Sequence, residues 1–478
     1  MDLLADDMER IHRDGALFGL HINNSKSEII ANSEPFSNGF ANSGFQFTAP
    51  TAATLLGAPL SGGSALDSCL SKRYDAMARA ITRLELIASH DALVLLKNSL
   101  SAPRLVFTLR TATCDGNPLI LKIDELLRSA VSRICNVSLS DQQWSQAGLP
   151  TRLGGLGIRN VASLALSAFI ASAAATRDLQ CRILCNCTLN PSDSTLDYCL
   201  AEWCNKTGLQ LPSVLFRQRT LDSAMASTIF TNLLNKQSEP FHRARMLAAS
   251  AQHSGDWLHA LPITACGLRL SDDAVRIAVG LRLGCKLCEP HKCSCGAVVD
   301  ESGRHGLSCR RSAGRIAQDH YINELLWRAL SRAGVPAVKE PAGLSRSDGK
   351  RPDGMSLIPW REGRSVLWDV TIRDTTADSY LSKTSSAAGA AAEEAAVQKE
   401  SKYADLCTDY LFCPVAIETL GPICSAGRLF LSELGRRTSL LTCDPRETAF
   451  LYQRVSVAVQ RFNAVCIAGT FLPAVSNT

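Results

Sequence analysis

Across residues 366–371 a single carboxylate, Asp369, interrupts an otherwise apolar run with strand character. A buried carboxylate is costly unless it is paired with a cation or bound to metal, so this segment must fold against a partner that answers the charge. The neighbouring sequence supplies candidates. Arg351-Pro352-Asp353-Gly354 precedes the run, and Lys399, Lys402 and Tyr403 follow it in an Ala-rich stretch. Periodicity and turn signals predict a helix over 315–333 ended by Gly334, then strands over 335–340, 354–360 and 365–373, the last two joined by a Glu362-Gly363 turn. A helix over 387–406, a strand over 412–419 and a helix over 427–440 complete a compact mixed α/β unit. That order places Asp353 and Asp369 on neighbouring strands. Lys399, Lys402 and Tyr403 are spaced three and four apart, so they share a helix face able to look back onto those strands.

Two carboxylates on adjacent strands can hold hard cations against the oxygens of a phosphodiester, while a Lys steadies the charge that develops. The pattern therefore points to Mg²⁺-dependent hydrolysis, with Asp353 and Asp369 as metal ligands. The plainer readings are an Asp capping a strand end and lysines solvated on a surface. Presence of the second Asp weighs against the first of these.

Just upstream, five of the nineteen cysteines crowd into 285–309. Thiolate and imidazole suit zinc, and the His-x3-Cys spacing of His305 and Cys309 is what one helical turn needs to aim two ligands at one ion. The predicted zinc set is Cys293, Cys295, His305 and Cys309. Only one residue separates Cys293 from Cys295, which is shorter than the usual gap, so Cys285, Cys288 or His291 stands as a substitute within that pair. A second group, Cys181, Cys185 and Cys187, has no nearby His and reads as core packing. Arg315, His320 and Asn323 lie on the helix after the zinc candidates, where they can contact a phosphate or brace the metal site.

The 478 residues are too many for one ordinary core and suggest two to four domains, while 46% apolar and 20% charged content describes a globular chain. A net charge of +5 over this length decides nothing about partners. The N-terminal residues lack a basic segment followed by an apolar one. An apolar stretch at 164–175 is broken by Ser167 and Ser172 and falls short of the ~20 residues a membrane span needs. The sequence thus reads as intracellular and soluble, with mostly reduced cysteines. Further expectations are helices over 3–20, 66–89, 92–109, 119–135 and 161–176, short strands at 21–23 and 55–60, a turn at Gly154-Gly155-Leu156-Gly157, and mainly helix from 178 to 283. Asp6-Asp7 opens a helical pattern and so differs from the hairpin aspartates of a polymerase palm.

Together these residues resemble the C-terminal portion of a non-LTR retrotransposon polyprotein that carries a restriction-like endonuclease. Gly19-Leu20-His21-Ile22-Asn23-Asn24-Ser25-Lys26-Ser27-Glu28 resembles the palm segment after the catalytic hairpin, with Lys26 near the incoming nucleotide. Leu55-Leu56-Gly57-Ala58-Pro59-Leu60 resembles a primer-grip strand, and Leu149-Pro150-Thr151-Arg152-Leu153-Gly154-Gly155-Leu156-Gly157 resembles the start of the linker. A Cys-Cys-His-Cys knuckle, an Arg/His/Asn element and a Pro-Asp, Asp, Lys nuclease follow in the order of that family.

The resemblance implies an α+β multidomain chain: a palm remnant at 1–62, a helical thumb at 63–140, a helical linker at 141–283, a zinc knuckle at 284–312, a restriction-like nuclease at 313–445 and a C-terminal tail at 446–478. It implies DNA cleavage with Mg²⁺ and Zn²⁺ as cofactors, a DNA target and element RNA as partners, no membrane, and a nuclear location. The palm's metal-binding aspartates are missing, so reverse transcription is not expected of this chain. Thr371 stands where the simplest restriction-enzyme pattern places Lys, which implies that Lys399 or Lys402 takes over, with Tyr403 assisting. The alternative function is a non-catalytic, zinc-stabilised remnant or domesticated protein that binds nucleic acid.

Overall fold

The computed structural model describes residues 2–31, 45–60, 62–183, 194–213, 217–344 and 351–471. The chain is α+β, with many helices and small sheets. It forms two compact units, one from Met1–Ala78, Arg104–Ile123 and Val161–Asp222, the other from Arg79–Pro103, Asp124–Asn160 and Ser223–Thr478. The segments 63–140 and 141–283 each contribute to both units.

In the first unit the strand expected at 21–23 is replaced by a 3₁₀ turn at Asn24–Lys26, and the extended segment falls at Glu28–Ile30, paired in parallel with Gln46–Thr48. The cause is local. Ser25 donates to the Asn23 side chain at 2.7 Å and Ser27 to the Asn23 carbonyl at 3.0 Å, bonds that compete with a ladder. Residues 55–60 form a two-residue hairpin rather than a single strand: Thr54–Leu55 pairs with Ala58–Pro59 around Leu56 and Gly57, both at positive φ. A Leu-Gly pair lacks the usual signature of such a turn, which hid it. The helix Val161–Ile183 runs past the expected end at 176. Cys181 is exposed near its end, and Cys185 and Cys187 lie outside the described residues.

One continuous helix over 92–109 does not form. A helix Ser89–Leu95 passes into a π turn and then a 3₁₀ turn at Ala102–Arg104, before helix resumes at Val106–Thr111. Pro103 removes a donor and clashes with the preceding turn, which accounts for the break. The stretch Ser89–Thr111 has the length and hydropathy of a membrane span by composition alone, but it carries these interruptions and 44% of its most apolar window is buried.

The candidate carboxylates Asp353 and Asp369 lie at the four-stranded sheet of the second unit. Its strands are β1 (Ala337–Lys339), β2 (Gly354–Ser356), β3 (Val366–Arg373) and β4 (Leu411–Glu418). They lie in sequence order, with β1, β2 and β3 antiparallel to their neighbours and β3 parallel to β4, Asp369 opposite Pro414. β1 and β2 are shorter than the sequence suggested. Helices α1 (Ala313–Arg332), α2 (Ala390–Lys402) and α3 (Ser425–Thr442) pack on the sheet, and α4 (Glu447–Ala468) packs on α1 and α3.

Side chains of β3 alternate between two buried faces. Val366, Trp368, Val370 and Ile372 join Leu326 of α1, Leu431 of α3 and Val455 of α4 in the main core. Residues of opposite parity look toward α2, whose Ala392, Ala395 and Ala396 pack on Ala416 of β4. Small alanines let α2 approach closely, and Asp369 and Thr371 fall on the face it covers. A strand buried on both sides reads as a nearly continuous apolar run, which is why Asp369 stood out.

Residues 446–478, set apart on sequence as a tail, instead supply α4. Leu451, Tyr452, Val455, Ala458 and Val459 recur at helical spacing and are buried in the main core, so the segment is integral to the unit. Two shorter features also depart from expectation. The helix Asp378–Thr384 went unforeseen, and α2 begins only after Gly389, whose φ of 80° no side chain adopts readily.

Candidate functional site

Asp353 sits immediately before β2, where its backbone N–H donates to the Trp368 carbonyl at 3.0 Å and joins it to β3. Beyond that bond the Asp353 side chain takes over from the ladder, Oδ2 accepting from the Val370 N–H at 2.6 Å. The next residue must be glycine. A Cβ on Gly354 would lie 2.0 Å from the Trp368 indole, which donates through Nε1 to Asn323 Oδ1 at 2.8 Å. Asn323 Nδ2 in turn donates to the Asp353 carbonyl at 3.4 Å. Asn323 is buried and both ends of its amide make hydrogen bonds, so it braces the Asp353 strand.

From the other face, Lys399 of α2 reaches down and places Nζ 2.5 Å from Asp369 Oδ1. The structure thus distinguishes the two lysines. Lys402 donates to the Tyr403 hydroxyl at 2.7 Å and lies over its ring. Tyr403 is fully buried, and its hydroxyl donates to the Arg351 carbonyl at 2.9 Å, which ties the end of α2 to the loop that delivers Asp353. At the other end of α2, buried Glu418 accepts from the N–H groups of Ala391 and Ala392, an anionic cap on the helix N-terminus. Lys399 is therefore held between two anchors, and Tyr403 acts as one of them.

A third carboxylate escaped the sequence reading. Asp319 lies one turn after Arg315 on α1, and its Oδ1 accepts from the Ile372 N–H of β3 at 3.2 Å. The four-residue spacing of Arg315, Asp319 and Asn323 was the available signal. Burial, together with the charge of Asp369, pushes the Asp353 carboxyl up to about 6 against the opposing pull of the Val370 N–H and Lys399. Burial likewise raises Asp319 to about 6. These carboxylates and Lys399 form one electrostatic group. Its acids hold their charge at a cost that a bound divalent cation would offset.

An acid whose folded pKa exceeds its unfolded value favours folding when protonated, and that contribution is lost as pH rises through the folded pKa. Asp319→Asn keeps an acceptor for Ile372 and removes the titration. Its melting temperature in Mg²⁺-free buffer should gain on the native chain between about pH 4 and pH 7. The gain should be on the order of 1–2 kcal/mol, discounted for partial exposure. A difference that does not change with pH would remove Asp319 from the charged group.

Arg315 donates to the Ser308 carbonyl at 3.2 Å and lines a cleft of about 240 Å³ with Arg310, Asp319, Arg373 and Asp374. His320 is exposed on a neighbouring groove beside Tyr321 and Lys339. Lys26 belongs to the first unit, exposed at the end of its 3₁₀ turn.

The metal candidates converge as one cluster. Cys293, Cys295, His305 and Cys309 place their ligand atoms within 4.8 Å of one another, with Cys293 Sγ 3.8 Å from Cys309 Sγ and Cys295 Sγ 3.2 Å from His305 Nε2. A short hairpin, His291–Lys292 with Val298–Val299, carries the first pair. Its turn is closed by the Cys293 N–H on the Ala297 carbonyl at 2.9 Å and the Gly296 N–H on the Cys293 carbonyl at 2.8 Å. Gly296, at φ 92°, turns the chain back so that a one-residue gap suffices. His305 opens a short helix and Cys309 follows it.

Burial opposes the Cys293 thiolate, but hydrogen bonds from the Cys295 N–H and from the Cys295, His305 and Ser294 side chains outweigh it and bring the thiol down to about 6. A thiolate beside an imidazole and two more sulfurs is a donor set for a zinc-type ion. The substitutes have other partners, although Cys288 also packs against Cys293 and Cys309. Cys288 Sγ faces the Asp300 carbonyl, Cys285 lines a separate cleft, and His291 bonds Thr470 and stacks on Phe471.

Fold and site define an α+β protein in which a Cys₃His cluster able to hold a zinc-type metal accompanies a sheet carrying coupled carboxylates and a lysine. No protein-family model and no curated protein matches the chain.

Proposed function

We propose that the second unit hydrolyses DNA phosphodiesters with Mg²⁺, as the likeness to the restriction-like endonucleases of non-LTR retrotransposons implies. The observation that carries this reading is the Lys399 ammonium against Asp369, with the Asp353 carboxylate coupled to the same group from the end of the adjacent strand. A helix lysine supplies the cation that Thr371 does not, which makes the departure from the simplest pattern chemically whole. Asp353 and Asp369 would hold the divalent ion. When bound, that ion polarises the phosphoryl oxygen and lowers the pKa of its water.

The remaining work belongs to side chains. Lys399 stabilises negative charge growing on the phosphate, in a partly buried setting where a fixed cation acts more strongly than in bulk water. Glu418 and Tyr403 keep that lysine in place, and Asn323 keeps Asp353 in place. The zinc knuckle grips the nucleic-acid backbone beside the cut, positioning it without reading sequence. In an intact element the cut end would prime reverse transcription of element RNA in the nucleus.

Purified, zinc-loaded chain incubated with supercoiled plasmid tests the proposal. Open circles should accumulate with Mg²⁺ and stay at background when Mg²⁺ alone is omitted. Salt-sensitive DNA binding with no Mg²⁺-dependent nicking would instead establish the non-catalytic binding protein.

A further inference from the structure

A second polar cleft, of about 680 Å³, opens in the same unit at the end of the helix Asp272–Leu283, and its lining includes Arg245, Lys286 and Arg304. Arg245 is only 4% exposed. Its Nη1 donates to Gln146 Oε1 at 2.9 Å and to the Arg282 carbonyl, while Nε has no acceptor. Among the described residues, no carboxylate pairs with this guanidinium. Arg282 behind it, outside the cleft lining, is also buried and donates to the carbonyls of Gly155, Ser254 and Thr151, with the Asp256 carboxylate acting on its charge. One buried guanidinium, that of Arg245, therefore lies at the cleft with no carboxylate on it and a second positive charge behind it, an arrangement that is costly as it stands.

The mouth differs from the floor. There Lys286 pairs with Glu301 at 2.6 Å, Arg304 with Asp300 at 3.4 Å and His242 with Glu239 at 3.7 Å, so the rim charges largely answer one another. The unanswered charge is at the bottom. Burial pulls Arg245 down to about 10 and Arg282, repelled by Arg245 and partly supported by Asp256, down to about 9.

We propose that this cleft binds a terminal phosphate, an oxyanion that answers the buried Arg245 guanidinium at the floor, with Lys286 and Arg304 at the mouth. A phosphate monoester carries close to two charges at neutral pH, and a carboxylate carries one. Guanidinium is also the group best suited to oxyanions, and the cavity is large enough for a nucleotide around the phosphate. The inference does not depend on the hydrolytic reading.

Equilibrium binding to the zinc-loaded full chain tests it, using inorganic phosphate, a 5′-phosphorylated thymidine dinucleotide and the same dinucleotide with a free 5′-hydroxyl. The two phosphorylated probes distinguish the sources: tight binding of the dinucleotide alone assigns a polynucleotide end, and comparable binding of both assigns a free phosphate ligand. Arg245→Met should weaken binding roughly tenfold or more, as expected for loss of a charge-assisted bond. Lys286→Gln changes an exposed side chain, should leave folding intact and should weaken binding several-fold. Absence of saturable binding by either phosphorylated probe, equal binding of the unphosphorylated dinucleotide, or native affinity in Lys286→Gln would overturn the assignment.

Discussion

If the second unit is the proposed nuclease, Asp353→Asn should bind duplex DNA like the native chain but nick Mg²⁺-supplied plasmid more slowly by on the order of 10³-fold. The asparagine is chosen because Asp353 has two jobs. Its Oδ2 accepts the Val370 N–H where the β2 ladder stops, and an amide oxygen can do the same. Alanine would leave that partly buried N–H without its acceptor at about 1–3 kcal/mol and confuse folding with chemistry. What asparagine lacks is the charge that holds a divalent cation.

Folding should not suffer. Burial and Asp369 raise the Asp353 carboxyl to about 6, so above that pH its ionised form opposes folding of the Mg²⁺-free chain, and a neutral amide relieves this. Mg²⁺ should accordingly raise the melting temperature of the native chain and leave that of the variant unchanged. Lys399 is a poorer position to test, since its removal leaves Asp369 buried without a counter-ion and destabilises the sheet. Nicking by folded Asp353→Asn within a few-fold of native would remove the two-carboxylate reading.

The sequence disclosed the C-terminal unit because its signals were backbone signals. Gly334, at φ 70°, ends α1, and Glu362-Gly363 turns between β2 and β3 with both residues at positive φ. Asp369 was conspicuous against a strand that is apolar on both faces. Which lysine meets it was not legible, because Lys399 and Lys402 share a helix face and only the docking angle of α2 separates them. That angle depends on the Glu418 cap and the Tyr403 anchor, contacts far apart in sequence. Asp319 was hidden for a related reason. On a helix an isolated Asp looks solvated, and only packing against Ile372 shows otherwise.

The misreadings farther upstream were also physical. Strand propensity at 21–23 lost to Asn and Ser side chains that bond their own backbone, and helical periodicity at 92–109 lost to Pro103. The segment 446–478 was taken for a tail because the family pattern ends before it, although its apolar spacing already described a buried helix.

Cys309→Ser should empty the metal centre and unfold the knuckle while the sheet survives. Four ligands from a two-residue hairpin and a one-turn helix have little core beneath them; Val299 is the main buried apolar side chain inside the cluster. A structural zinc ion contributes on the order of 10 kcal/mol to small sites of this kind, so the hairpin should not hold without it. The damage should nonetheless stay local. The knuckle docks on the end of α4 through Gly306, where a Cβ would meet the Cys466 carbonyl at 2.8 Å, and through His291 on Thr470 and Phe471. β3 and the main core rest on α1, α3 and the middle of α4, which the knuckle does not reach. Hydrogen exchange should therefore lose protection at the Cys293 and Gly296 amides, and retain it at Val370. Metal analysis should find about one zinc per native chain and none in the variant. Cys285→Ser, whose thiol lines the separate cleft, should keep its zinc, and loss of metal there would mean that the four ligands have been wrongly chosen.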